Sequence, residues 1–305
     1  MPAPLAPRRP TRRAGALAVA VLAILGLLLT FAGSAFADAI TPESGGSPNA
    51  GDIDTLYKWV LIPAVIVFVG VEGCLLYSLF RFRARKGRVA AQIRGNTRLE
   101  IGWTVGAAVI LVVLAVETFI QLPGIRNPPN SGPNGLQLAD RVLVASGPTK
   151  QLPPNGKSLN ICVNGQQYVW RFTYAQDCKN VPLNSPFSYD EMVVPTDTTV
   201  TLDIDAQDVA HSWWIPKLGG KFDAVPGYTN HTWFKVPGKL AGTTFRGQCA
   251  ELCGRNHANM TARVRAVKPN EFESWLDRQR NAIKQGDVAA QRQRQRVEQG
   301  QQPGG

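Results

Sequence analysis

The sequence predicts a two-span transmembrane helical hairpin followed by an all-β domain, an antiparallel β-sandwich or barrel. Three observations carry that prediction. Two apolar blocks of 22 residues, Trp59 to Phe80 and Ile101 to Leu122, flank a short basic loop. From Leu159 onward the residues are aromatic and β-branched, broken by turn signals. The chain has only five Cys, three His and three Met, and four of these soft donors fall in one stretch of the second half.

The N-terminus comes first. Arg8, Arg9, Arg12 and Arg13 precede an apolar run, Ala14 to Ala32, and "GSAFADA" follows. A basic start, an apolar run and small residues at Ala35 and Ala37 read as a signal peptide, 1–37, cut after Ala37. The alternative is a retained third span. No Cys lies near the cut, which argues against a lipoprotein anchor. Residues 38–58 then form an external segment.

A helix of 22 residues is ~33 Å long, enough for a bilayer core of ~30 Å. The loop 81–100 carries Arg81, Arg83, Arg85, Lys86, Arg88, Arg94 and Arg98, with no acid before Glu100. Basic loops stay on the cytoplasmic side, so the segment before Trp59 and everything after Leu122 lie outside. The formal net charge of +11 is spread without a basic stripe interleaved with aromatics, which argues against nucleic acid as a partner.

Residues 123–158, rich in Pro, Gly and Asn, read as a linker wrapping back over the membrane face. The β-domain is expected over 159–269. "YVWRFTY", "HTWFKV" and "TARVRAV" have strand composition. In "TVTLDIDA", Val200, Leu202 and Ile204 alternate with Thr201, Asp203 and Asp205, giving one buried and one polar face. A helix is expected over 270–284 and a disordered, low-complexity tail over 285–305.

The donor-rich stretch is "GQCAELCGRNHANM". Its spacing is Cys249-x3-Cys253-x3-His257-x2-Met260, and His211 lies upstream in "DVAHSWWIP". Thiolate, imidazole and thioether together favour copper over hard cations. A structural zinc site uses four Cys or His and gains nothing from Met. A mononuclear blue copper site uses one Cys. Two thiolates can bridge two coppers, each completed by one histidine and one weak donor. Two Cys, two His, Met260 and a carbonyl from the loop between the cysteines close that inventory. Such a site leaves no open position for bond-making and suits electron transfer. The alternative is a disulfide between Cys249 and Cys253, with His257 and Met260 incidental.

"DVAHSWWIPKLGGKFDAVPG" with "FRGQCAELCGRNHANM" resembles subunit II of haem-copper cytochrome c oxidase, over roughly residues 55 to 275. The resemblance implies an outward cupredoxin-like domain with a dinuclear copper A centre. His211 and Met260 would serve one copper, and His257 with the Glu251 carbonyl the other. Cys249 and Cys253 would bridge both. It further implies a magnesium ion, held by the Glu251 carboxylate at the interface with subunit I. Glu100, in "LEIGWT", would sit at the cytoplasmic mouth of a proton pathway, its alternative being a helix N-terminal acid favoured by the dipole. Tyr168 stands where the family commonly has the tryptophan that receives electrons, with Trp170 two residues on, and the alternative for Trp170 is a core aromatic. The implied function is to take electrons from cytochrome c and pass them to the haem of subunit I, in an oxidase that reduces oxygen to water and pumps protons. The implied partners are subunits I and III, membrane lipid, and cytochrome c or a membrane-tethered cytochrome c domain. The implied place is the plasma or inner membrane, with the copper domain on the outer, periplasmic side. The chain has no C-x-x-C-H, so no c-type haem is expected in it.

The remaining residues read more plainly. Asp203, Asp205 and Asp208 either steer a basic donor or form a solvated strand face. Cys162 and Cys178 pair as a disulfide or remain two free thiols. His231 reads as a surface or strand histidine and Cys74 as packing. Glu72 and Glu117 lie within spans, where carboxylates usually face protein or water. Three other functions compete. A quinol oxidase subunit of the same fold would lack the copper donors. A membrane-anchored copper carrier or assembly protein would need an exposed, exchangeable site. A nitrous oxide reductase would need a second large domain.

Overall fold

The computed structural model describes residues 40–83, 87, 92–136 and 152–299 of the 305-residue chain. The segment assigned as a signal peptide lies outside the described residues, as do 137–151 of the linker and the last six residues.

Helices α1 (Pro48–Arg81) and α2 (Thr97–Arg126) carry the two apolar blocks and extend beyond them at both ends. The external segment is therefore already helical from Pro48. Phe80 is 77 % exposed and Phe119 76 %, a surface that water covers at high cost. At the start of α2, the Asn96 side chain accepts from the Leu99 N–H at 3.3 Å, and Glu100 Oε1 accepts from the Asn96 N–H at 3.1 Å. Glu100 thus satisfies an unpaired donor at a helix end.

One sheet contains β1 (Leu159–Gln166), β2 (Val169–Thr173), β3 (Phe187–Tyr189), β5 (Thr199–Ala206) and β8 (Asn230–Lys235), in spatial order β3-β2-β1-β5-β8. The other contains β4 (Glu191–Pro195), β6 (His211–Trp214), β7 (Phe222–Ala224), β9 (Thr244–Cys249) and β10 (Thr261–Val267), in order β4-β10-β9-β6-β7. Trp170, Phe172, Met192, Leu202, Ile204 and Phe234 fill the core between them. Two pairings, β1 with β5 and β4 with β10, are parallel rather than antiparallel. Parallel neighbours require long crossovers: β2, β3 and β4 intervene between β1 and β5, and β5 to β9 between β4 and β10.

The outward face of β5 departs from the alternation. Thr201 is fully buried and Asp203 is 7 % exposed. The reason is a roof. Cys162 and Cys178 form a disulfide that ties residues after β2 to β1. Asn160, on the same face of β1, donates to the Ala175 carbonyl at 3.0 Å and to Asp203 Oδ2 at 3.2 Å. His231 Nδ1 lies 2.7 Å from Asp203 Oδ1, and Asn164 donates to Asp205 at 2.8 Å. These aspartates are internal acceptors, not a solvated strand face.

The sandwich is fastened to the ends of both long helices. Asn49 Nδ2 donates to the Trp233 carbonyl at 2.9 Å, and the Lys235 N–H donates to Ser47 Oγ at 3.0 Å. Trp233 Nε1 donates to the Ile125 carbonyl at 3.0 Å. The linker's first residues run along β5, where Pro129 O accepts from Thr199 Oγ1 at 2.6 Å.

Helix α3 runs over Pro269–Glu298 and corrects the expected end at 284 and the disordered tail. Phe272, Trp275 and Leu276 are buried against the sandwich, and the remainder is largely exposed. Ala, Gln and Arg dominate "AAQRQRQR", and all three have high helix propensity. The repeated pattern of that stretch hid this.

Candidate metal centre

Three neighbouring segments bring the donors together. His211 opens β6 and Cys249 ends β9. These strands are paired, with Trp213 opposite Cys249. The Ala250 N–H donates to the Ser212 carbonyl and the Cys249 N–H to the Met260 carbonyl, both at 2.9 Å. The loop 250–260 is therefore held at both ends. Within it, the His257 N–H donates to Gly254 O and the Met260 N–H to His257 O, both at 3.1 Å. These tight turns fold Met260 back beneath the cysteines.

The donors form a continuous cluster. His211 Nδ1 is 3.9 Å from Cys249 Sγ, and the two sulfurs are 3.9 Å apart. Cys253 Sγ is 3.5 Å from His257 Nδ1 and 3.8 Å from Met260 Sδ. The Glu251 carbonyl lies 3.2 Å from Cys249 Sγ. A disulfide needs about 2.05 Å between sulfurs, so the cysteines are two thiols. Sulfurs 3.9 Å apart can both lie about 2.3 Å from one ion, a normal metal–thiolate distance. The donor set thus fits shared metal ligation. His211, Cys249, Cys253 and Met260 are buried, His257 is half-buried, and the Glu251 side chain is exposed.

Burial and the neighbouring Cys249 push the Cys253 thiol up to about 11. A metal that binds here must therefore displace thiol protons. His211 Nε2 lies 2.9 Å from Asp208 Oδ1. Partial burial opposes ionisation of Asp208. Hydrogen bonds from His211 and from the Gln167 and Val209 N–H groups prevail and hold it below the usual carboxylate range.

The two aromatics flank the cluster. The Trp170 ring is fully buried and meets the His211 ring edge-on at 5.9 Å. It is a core residue that also touches a donor. Tyr168 lies over the two-cysteine loop: a Cβ at Gly254 would sit 2.6 Å from its hydroxyl. Glu100 is placed far along the chain, on α2, with its capping role. Three residues near the donors support them without being ligands. A Cβ at Gly165 would lie 3.0 Å from the His211 ring, so this glycine makes room for the imidazole. Asp208 was visible three residues before His211. Gln167 had no signal, because its partners come from two distant loops.

A sandwich carrying a largely buried two-thiol, two-imidazole cluster, joined to two long apolar helices, defines a membrane-anchored cupredoxin-like protein. The family described as cytochrome C oxidase subunit II, periplasmic domain, matches residues 159–267. The corresponding transmembrane domain matches residues 35–120. Cytochrome c oxidase subunit 2 of Alkalihalophilus pseudofirmus is 32 % identical over 262 residues, covering 84 % of this chain and 66 % of that protein. A probable cytochrome c oxidase subunit 2 of Rickettsia bellii is 30 % identical over 276 residues, covering 84 % and 91 %. The Bacillus subtilis subunit 2 is 30 % identical over 282 residues, covering 90 % and 71 %. Among solved structures, the periplasmic domain of subunit II of cytochrome oxidase of Bradyrhizobium japonicum is 31 % identical, with a TM-score of 0.36, covering 41 % of this chain and 95 % of that one. The chain belongs to the cytochrome c oxidase subunit II family.

Proposed function

We propose that this chain accepts electrons from cytochrome c at a dinuclear copper A centre and passes them to the haem of subunit I, in an oxidase that reduces oxygen to water and pumps protons. One observation carries the reading: five side-chain donors stand in an unbroken run of contacts from His211 through Cys249 and Cys253 to His257 and Met260, with the Glu251 carbonyl beside Cys249 as the sixth. Bound there, the copper pair supplies a one-electron carrier whose charge is shared between two ions.

The chain's own residues do the rest. Cys249 and Cys253 would hold both ions, with His211, His257, Met260 and the Glu251 carbonyl completing the donor set. Burial of His211, Cys249, Cys253 and Met260 excludes water and keeps the geometry the same in both redox states. It argues against an exchangeable copper carrier. Tyr168, above Gly254, offers an aromatic edge towards a donor, and Trp170 packs against His211 behind it. The exposed Glu251 carboxylate is free to hold magnesium at a subunit I interface. Glu100 serves the cytoplasmic mouth of a proton pathway alongside its capping role. Subunits I and III and lipid cover the exposed helices, and the sandwich stands on the periplasmic side.

The test is stopped-flow mixing of the copper-loaded full chain, in detergent, with reduced cytochrome c. Oxidation of one cytochrome per chain within milliseconds supports the proposal. A chain that holds two coppers and leaves cytochrome c reduced contradicts it.

A further inference from the structure

The turn between β1 and β2 supplies no metal donor, yet it touches the surroundings of both donor loops. Gln167 Nε2 donates to the Cys253 carbonyl at 2.6 Å. The Gln167 backbone N–H donates to Asp208 Oδ2 at 2.7 Å, and Asp208 Oδ1 in turn holds His211 Nε2 at 2.9 Å. The turn is itself anchored to the loop before β6, because the Gln207 N–H donates to the Gly165 carbonyl at 3.0 Å. At Gly254, a Cβ would lie 2.9 Å from Gln167 Nε2 and 2.6 Å from Tyr168 Oη. A side chain at Gly254 would displace the ends of Gln167 and Tyr168, and the backbone φ there, 127°, is one that side chains rarely adopt.

We infer that Gln167 is a positioning residue: it buckles the His211 loop to the Cys249–Met260 loop and sets the distance between the two halves of the donor cluster. The inference rests on the copper reading above. Its physical basis is simple. His211 and Cys253 lie 42 residues apart in sequence, and β6–β9 pairing fixes only one edge of the cluster. An amide–carbonyl bond on the other edge, part-buried although Gln167 itself is exposed, restrains the remaining hinge freedom. Supporting partners of this kind tune a metal site without ligating it.

The test compares the full chain in detergent with Gln167→Met and Gln167→Glu. Both keep the backbone donation to Asp208 and lose the amide donor to Cys253; Gln167→Met adds no charge, whereas Gln167→Glu also sets a negative charge against that carbonyl. Each is loaded with copper, and three quantities are read: copper per chain, the electron spin resonance hyperfine pattern, and the rate of copper loss to a chelator. Both variants are expected to hold two coppers, to show an altered hyperfine pattern, and to lose copper up to roughly tenfold faster, the size of one lost hydrogen bond. Gln167→Met combined with Asp208→Ala is expected to be less than additive, because both act on one linkage. In the metal-free chain, amide exchange over 250–260 is expected to speed up by a similar factor, a readout that stands even if copper loading fails. Variants with a lowered unfolding temperature but unchanged spectrum, copper loss and loop exchange would make Gln167 merely structural and overturn the inference. A wild-type chain that holds no copper pair strikes instead at the copper reading, and loop exchange still decides whether the buckle exists.

Discussion

His211 presents Nδ1 to the Cys249 sulfur at 3.9 Å and Nε2 to Asp208 Oδ1 at 2.9 Å. A neutral imidazole carries one proton, and the hydrogen bond that one nitrogen makes decides which one carries it. An ionised Asp208 draws that proton to Nε2 and leaves the Nδ1 lone pair facing the sulfurs. Asp208→Ala is therefore expected to weaken copper binding by about 10- to 100-fold, the usual effect of losing such a partner. Titration against a competing chelator measures it, and Asp208→Asn, which retains an acceptor, should lose less.

Removing one bridging sulfur has a different signature. Cys253→Ser leaves one thiolate, two imidazoles and a thioether, the donor set of a mononuclear site. The expected outcome is one copper per chain and a four-line spin resonance spectrum. Two coppers retained in this variant would rule out bridging by Cys253.

Tyr174 supports the sandwich at its edge. Its hydroxyl donates to the Val193 carbonyl and accepts from the Val193 N–H, both at 2.8 Å, so it pairs the free side of edge strand β4. Burial pushes its ionisation well above the ordinary value. The unfolded chain ionises near pH 10 while the folded chain stays protonated. The stability this group contributes is thus present below about pH 10 and is lost as pH rises further. Tyr174→Phe is expected to cost about 1–3 kcal/mol at neutral pH through the unpaired Val193 groups. It should also flatten the alkaline fall in denaturant midpoint.

The disulfide roof gives a fourth test. Cys162 and Cys178 close a loop with a sequence separation of 16, and loops of that size contribute about 3 kcal/mol by restricting the unfolded chain. Replacing both cysteines with alanine should lower stability by about that amount. Copper per chain should not change, because neither sulfur belongs to the donor cluster. A loss of copper in the folded variant would contradict that separation.

Much of this architecture was legible because its signals are local. A block of 22 apolar residues reads as a span without knowledge of its neighbours, and Cys249, Cys253, His257 and Met260 fall within twelve residues. What was hidden depends on distant pairing. Asp203 looked like a solvated residue because nothing in "TVTLDIDA" announces that the Cys162–Cys178 bond roofs that face. The parallel pairing of β1 with β5 depends on the path of three intervening strands. Helix α3 was cut short because repeated Gln and Arg suggest disorder as readily as they suggest a helix. The contact of Gln167 with Cys253 spans 86 positions and leaves no periodicity to read.

The central claim is that two coppers share the cluster of His211, Cys249, Glu251, Cys253, His257 and Met260. The most direct measurement is copper per chain together with the electron spin resonance spectrum of the oxidised full chain in detergent. The account predicts two coppers and a seven-line pattern from one unpaired electron spread over both. One copper with a four-line pattern, or copper stripped by a weak chelator, would contradict it.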